Sequence, residues 1–402
     1  MSEVAAGSQE EWLRAPFSRF LTPNVAIVDV DPGQSYPTVG VLNRGRGLLY
    51  RDPVAGSSTA YKKLNRIGSG LLVYSRLKAF EGAITVTPDD LPESFASQEF
   101  PTFAFASGGD PDFFRILTTT QSMWDALQGA SKGMGGRRER VKPADFLNIV
   151  MDIPPLPVQK RIVEVISVID EQVAALEVEA DSLLRVRNAA LGDMLSRGGE
   201  GWLSAPLSAA GTLTRGRRFV KNDYTESGLG CIHYGQIYTD FGASATRTVT
   251  YLPESFRGSM RLAQPGDVVI AGTSENVEDV GKAVAWLGDD DVAVHDDCFI
   301  FRHDLDSKFV SYFFASPLFQ HQKRQFTSVT KVVRISAANL KKIVMPVPPR
   351  EEQERISEMT GAVDAQVVAL RAEAERLRQA RVALLSGLLD RTIDIKSAKL
   401  EV

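Results

Sequence analysis

The chain has 402 residues, and 46 Lys and Arg stand against 50 Asp and Glu for a formal charge of −4, with a pI near 5.8. That length allows two or three ordinary domains, and 44% hydrophobic with 24% charged residues matches globular averages, which excludes wholesale disorder and a membrane-embedded protein. Two cysteines, Cys231 and Cys298, and four histidines, His233, His295, His303 and His321, fall in no CxxC or HExxH spacing, so neither a disulfide scaffold nor a metal site is expected.

Residues 1–12 are acidic and lack the basic head and apolar run of a secretory signal, and no uncharged apolar stretch approaches twenty residues. A cytoplasmic protein without membrane contact is expected. Within segment 1–150, short apolar runs at 70–77, 82–87 and 100–106, punctuated by Gly, Pro, Asn and Asp, predict strands, and 111–127 predicts a helix. A Pro154-Pro155 pair then marks an extended approach and a helix start, because proline is excluded from a helix interior and restricts the residue before it. Over 151–197, apolar residues at Ile162, Ile166, Ile169, Val173, Leu176, Ala180 and Leu183 follow the alternating 4,3 spacing of a heptad seam. The predicted helix, from about 156 to 195, would be on the order of 60 Å long at 1.5 Å per residue.

Segment 198–344 repeats the plan. Runs at 231–242, 266–274, 281–287 and 298–303 predict strands, and 307–322 predicts a late helix. Segment 345–402 opens on Pro348-Pro349 and carries a second seam, Ile356, Val363, Val367, Leu370, Ala374 and Leu377, interrupted once by Thr360. Residues 151–197 align without a gap on 345–391 at an offset of 194, with 20 identities in 47 positions. The pairs include Gln159/Gln353, Arg161/Arg355, Asp170/Asp364 and Arg187/Arg381. Such self-similarity fixes architecture. Two helices of equal length with matching seams should pair with each other, antiparallel if the globular segments are related by a pseudo-two-fold axis. Packing of each helix on its own globular segment, or on a second copy of the chain, is the competing arrangement. The expected fold is α+β: two α/β domains, each followed by a long helix, the helices forming an antiparallel coiled coil.

PPLPVQKRIVEVISVID and PPREEQERISEMTGAVD, each running into a long helix ending in LGDML or LSGLL, resemble the two conserved regions of the specificity (S) subunit of type I restriction–modification systems. YPTVGVLNRGRGLL, SRLKAFEGA and SQEFPTF in the first segment, and GDVVIAGTS with EDVGKA in the second, resemble its variable regions. The resemblance covers nearly the whole chain. It implies target-recognition domains at 1–150 and 198–344, spacer helices at 151–197 and 345–402, and a role in phage defence. It further implies that each domain reads one half of a bipartite, asymmetric double-stranded DNA target. The helices would set the spacing and dock two adenine-N6 methyltransferase subunits. Restriction subunits, the translocase and nuclease, are further possible partners. The chain itself would be non-catalytic and carry no cofactor, with S-adenosylmethionine, ATP and Mg on partner subunits.

Reading DNA requires side chains that bond base edges and cations that neutralise phosphate. Three basic clusters qualify: Arg137, Arg138, Arg140 and Lys142 beside Lys132; Arg215, Arg217, Arg218 and Lys221; and Lys323, Arg324, Lys331 and Arg334. Further candidates are Arg44, Arg46, Thr59, Tyr61, Lys62, Lys63, Ser75, Arg76 and Lys78 in the first domain. Tyr234, Gln236, Tyr238, Thr239, Thr273, Ser274 and Glu275, read as a strand edge and its continuation, are the equivalents in the second. The same residue types also make a solvated basic face or a polar sheet face. No Asn/Asp-Pro-Pro-aromatic tetrapeptide and no GxxxxGK[ST] loop occurs, which argues against methyl transfer and ATP-driven translocation by this chain. His295-Asp296-Asp297 reads as a turn rather than a metal site. A self-sufficient modification enzyme with a cryptic site, and a coiled-coil scaffold whose heads bind protein, are the rival functions.

Overall fold

A computed structural model describes residues 12–131, 140–329 and 332–395. The first strand, Leu13–Pro16, pairs antiparallel with Val150–Ile153, the strand that leads into the first long helix. Between them lie two sheets. Leu21–Pro23, Thr102–Phe105, Leu72–Tyr74 and Ile84–Val86 form a four-stranded sheet in that order. It is covered by helices α1 (Pro111–Leu117), α2 (Gln121–Ala130) and α3 (Pro143–Leu147), which with it enclose a core of Phe17, Tyr74, Phe103, Phe113, Phe114 and Phe146. Ala26–Asp29, Lys63–Ile67, Ser94–Ala96, Ser35–Val41 and Leu48–Ala55 form a five-stranded sheet with a smaller core around Tyr36, Leu64 and Phe95. Where one helix was expected at 111–127 there are two. Asp110 and Thr120 each cap a helix start with their side chains, and the hydroxyls of Thr118, Thr119 and Thr120 bond back to carbonyls three residues earlier, which ends the first helix.

Helix α4 runs unbroken over Leu156–Arg197. The second globular segment then contains α5 (Leu207–Ala210), α6 (Tyr234–Thr239), α7 (Ser307–Ala315), α8 (Pro317–Lys323) and α9 (Ala337–Leu340). Its main sheet orders Thr212–Arg215, Cys298–Arg302, Val268–Ala271, Ala283–Trp286 and Ser244–Ala245. Four- and three-stranded sheets accompany it, the latter made of Thr273–Ser274, Val333–Ile335 and Thr327–Val329. Leu203–Pro206 pairs with Val344–Val347, as the first strand pairs with the approach to α4. Helix α10 (Arg350–Leu389) closes the fold.

Two expectations here need correction. Residues 234–239 are helical, not strand, because His233 accepts the Gly235 amide while the Gln236 side chain accepts the His233 amide, a reciprocal cap that starts a helix. The expected helix over 307–322 breaks at Ser316-Pro317, where Ser316 ends one helix and caps the next.

The chain divides after Ala174 and after Glu373 into two compact units, so each unit holds one globular head and half of each long helix. In the first unit the start of α4 lies against the end of α10: Ile162 and Ile166 share a core with Leu385 and Leu388, and Asp170 pairs with Arg381. In the second, Asp181 pairs with Arg371 and Arg187 with Asp364, so numbers rise along α4 as they fall along α10. The helices therefore pair antiparallel. Among seam positions Ile162, Ile166, Val173, Leu176, Ala180, Ile356, Val367 and Ala374 are buried, whereas Ile169, Leu183, Val363, Leu370 and Leu377 are half-buried. Thr360 is buried too, its hydroxyl donating to the Ile356 carbonyl. Val165, outside the seam, is also buried and leaves no free surface, while Val168 and Val186 are exposed. Among the described residues no helix is long and apolar enough to cross a membrane.

Candidate nucleic-acid interface

An open cleft of about 1300 Å³ lies in the second unit. Its floor forms where the edge strand Thr212–Arg215 leaves the main sheet. Gly216 passes so close to Val294 and His295 that a Cβ would stand 2.2 Å from the His295 carbonyl, so only glycine fits. The Gly216 amide donates to the Cys298 carbonyl at 3.0 Å and the Arg217 amide to Val294 at 2.9 Å. His295, buried, donates from Nε2 to the Phe219 carbonyl at 3.0 Å and accepts the Asp297 amide on Nδ1 at 3.2 Å. These bonds fix the basic segment after Arg215 against the cleft wall.

Four cations line the cleft: Arg215, Arg218 and Lys221 from that segment, and Arg334 from the three-stranded sheet. Arg334, more than 110 residues further along the chain, thus shares one opening with the segment that follows Arg215. Arg215 is tied down, its Nε donating to the Asp296 carbonyl at 2.5 Å. Arg217 turns away and bonds the Ser259 carbonyl at 2.9 Å. Arg218 and Lys221 are exposed and their side chains have no partner among the described residues. Such unengaged cations suit phosphate or guanine edges. Neutral donors complement them: His233 faces the cleft with Nδ1 occupied by the Gly235 amide, which leaves Nε2 as the donor. Its pKa is lowered, by burial first and then by the neighbouring His295, so it stays neutral at pH 7.

His295, Asp296 and Asp297 could group their ligand atoms within 4.8 Å. Both His295 ring nitrogens are already engaged, however, and the Asp297 carboxylate accepts the Thr273 hydroxyl at 3.2 Å. The imidazole therefore has no lone pair left for an ion.

Several sequence candidates prove to be structural. Lys323 is buried, its amine donating to the Glu278 and Val280 carbonyls at 2.7 Å each; it holds a turn and is closed to DNA. Ser75 and Ser274 are buried as well. Gln236 is consumed in the α6 cap and a bond to Thr250. The Tyr238 hydroxyl donates to the Thr273 carbonyl at 2.6 Å, and burial raises its pKa. Thr273, although buried, touches the cleft, Tyr234 is half-buried on the His233 ring, and Thr239 and Glu275 are exposed. Arg324 is exposed. The cleft residues that sequence reasoning missed include Gln325, Phe326 and residues 336–339, together with His233. No local motif marks the first two groups, because they flank strands of the three-stranded sheet, which brings them in from a distance, while His233 enters as the cap of α6.

The first unit spreads its candidates more widely. Arg44, at φ 59°, lies over the Trp124 ring at 5.5 Å, and Arg46 bonds the Asn43 carbonyl. Tyr61, Lys62 and Lys63 are exposed beside half-buried Thr59, with Lys63 3.6 Å from Asp29. Arg76 and Arg140 both face Glu99, at 3.9 and 3.4 Å. Lys78 pairs with Glu81, and Lys142 is exposed. Lys132, Arg137, Arg138 and Lys331 lie outside the described residues.

Residues 212–377, which include every residue lining the cleft, match the family of type I restriction modification DNA specificity domains. The chain is 23% identical over 292 residues to the type I restriction enzyme MjaVIII specificity subunit of Methanocaldococcus jannaschii, covering 67% of this chain and 68% of that one. It is 27% identical over 205 residues to the EcoKI specificity subunit of Escherichia coli K12, covering 48% of this chain and 43% of the relative, so the match spans less than half of that protein. A solved structure, described as the structural basis underlying complex assembly and conformational transition of the type I R-M system, shares the fold over 97% of this chain and 99% of its own, with a TM-score of 0.60 at 19% identity. The second head is thus similar to a type I DNA specificity domain. The chain is similar to the specificity subunits of type I restriction–modification systems.

Proposed function

We propose that this chain is the DNA-recognition subunit of a type I restriction–modification complex. Each head reads one half of a bipartite, asymmetric duplex target, and the paired helices set the spacing and dock two adenine-methyltransferase subunits. Restriction subunits join the same assembly. Catalysis belongs to those partners, which would bind S-adenosylmethionine, ATP and Mg, and the complex acts in the cytoplasm. The observation that carries this reading is the meeting of Arg334 with the distant basic segment after Arg215 on one cleft, where Arg218 and Lys221 have no partner among the described residues. An acidic chain that presents exposed cations at an opening is suited to local contact with phosphate.

Binding of the selected duplex to the full chain with its modification subunits tests it. Each cation that neutralises a phosphate contributes about 0.9 to the slope of log K against log salt. Arg218→Ala with Lys221→Ala should therefore lower that slope by about 1–2. An unchanged slope with unchanged affinity would remove the cleft from the interface. Methyl transfer by the chain alone would overturn the division of labour.

A further inference from the structure

We infer that Gln159 and Gln353 are positioning residues that lock each recognition head to its own helix at a fixed angle, an inference that rests on the DNA-reading function proposed above. The two glutamines occupy equivalent places in the repeat, one turn into α4 and α10, and both side chains are buried. Gln159 accepts the Asp110 amide on Oε1 at 2.8 Å and donates from Nε2 to the Pro154 and Gly108 carbonyls, each at 2.8 Å. Gln353 accepts the Asp306 amide at 2.8 Å and donates to the Pro348 carbonyl at 2.8 Å. Asp110 and Asp306 are themselves the caps of α1 and α7, the helices that place Phe113, Phe114, Phe309 and Phe313 in the cores of the heads.

One amide side chain thus joins three parts of each unit: the start of the long helix, the proline turn before it, and the helix that anchors the head. The heads differ greatly in loop sequence, yet both keep this joint. A buried amide is tolerated only where its hydrogen bonds are made, and Gln159 makes three of them and Gln353 two among the described residues. Apolar packing tolerates sliding, whereas hydrogen bonds to the backbone fix direction as well as distance. The joint therefore governs the angle of each reader on its rod, and through it the spacer length that the complex accepts.

The test uses the full chain with its modification subunits and a set of duplexes carrying the selected half-sites with spacers altered by one base pair. In Gln159→Met and Gln353→Met the side-chain volume is nearly kept and the bonds are lost. Each variant should lower the preference for the native spacer by about tenfold, the scale of one or two buried hydrogen bonds, while the bases chosen in each half-site stay the same. Retained spacer preference in folded variants would overturn the inference. Hydrogen exchange on the unmodified chain gives a second readout that needs no variant to fold. The Asp110 and Asp306 amides should be as protected as those of α4 and α10, and exchange at the rate of exposed loops would equally overturn it. Absence of any bipartite preference in the unmodified protein would instead refute the DNA-reading function, and leave the exchange result to judge the joint.

Discussion

Single side chains divide into those that build the cleft and those that face out of it, and burial decides which is which. Lys323 looks like a DNA contact in sequence, yet the turn at 278–281 surrounds it and its amine holds two carbonyls. Burial, the dominant cause, pushes its pKa from the ordinary 10.5 down to about 8, against the opposing pull of Glu278 and Asp279. The folded state thus releases a proton that the unfolded state still holds between about pH 8 and 10.5, so unfolding takes up protons there and stability rises with pH across that window. Denaturant unfolding should show this rise in the native protein and a flatter profile in Lys323→Met. Equal slopes would mean that the amine is not desolvated in solution. His295 is the opposite case, a residue that sequence places in a plain turn and that the fold uses as a pin for the basic segment. His295→Ala would free the Phe219 carbonyl, and DNA affinity should fall although the residue's own nitrogens are turned inward.

At the level of elements, the long helices were the most legible feature, because a repeated seam and a proline pair are local and periodic signals. Their pairing is reinforced by ion pairs that the repeat itself interchanges, since adding 194 to Arg187 and subtracting it from Asp364 gives Arg381 and Asp170. The two pairs differ in the exposure of their carboxylates. Asp364 is about a quarter exposed and also accepts the Tyr312 hydroxyl at 3.0 Å, whereas Asp170 is 47% exposed. Arg187→Ala should cost about 1–3 kcal/mol in unfolding experiments, because a largely buried carboxylate loses its cation, while Arg381→Ala should cost about 1 kcal/mol or less. The reverse order would show that burial does not set their worth. The elements misread from sequence were decided by side chain to backbone bonds instead of periodicity. The cap by His233 and Gln236 turned an apolar run into α6, and Ser316 with Pro317 split a helix whose apolar pattern runs straight through the break. The cleft was half legible: its cations were visible as clusters, but their meeting depends on the strand Val333–Ile335 pairing with Thr273–Ser274, a contact about 60 residues long that no local pattern encodes.

For the molecule as a whole, two dissimilar heads on paired helices would, under the proposed function, let one chain recognise two half-sites across an unread gap. Changing the helices while leaving the heads intact should therefore change the gap alone. Deletion or insertion of about four residues within 174–185, roughly one helical turn, should alter spacer length and preserve both half-sites. Unchanged spacing would contradict the ruler role of the helices. The most direct measurement is selection from a random duplex library by the full chain together with its modification subunits. The expected result is an enriched motif of two different short half-sites separated by a fixed stretch of unselected bases. A single uninterrupted motif, or no enrichment at all, would contradict it.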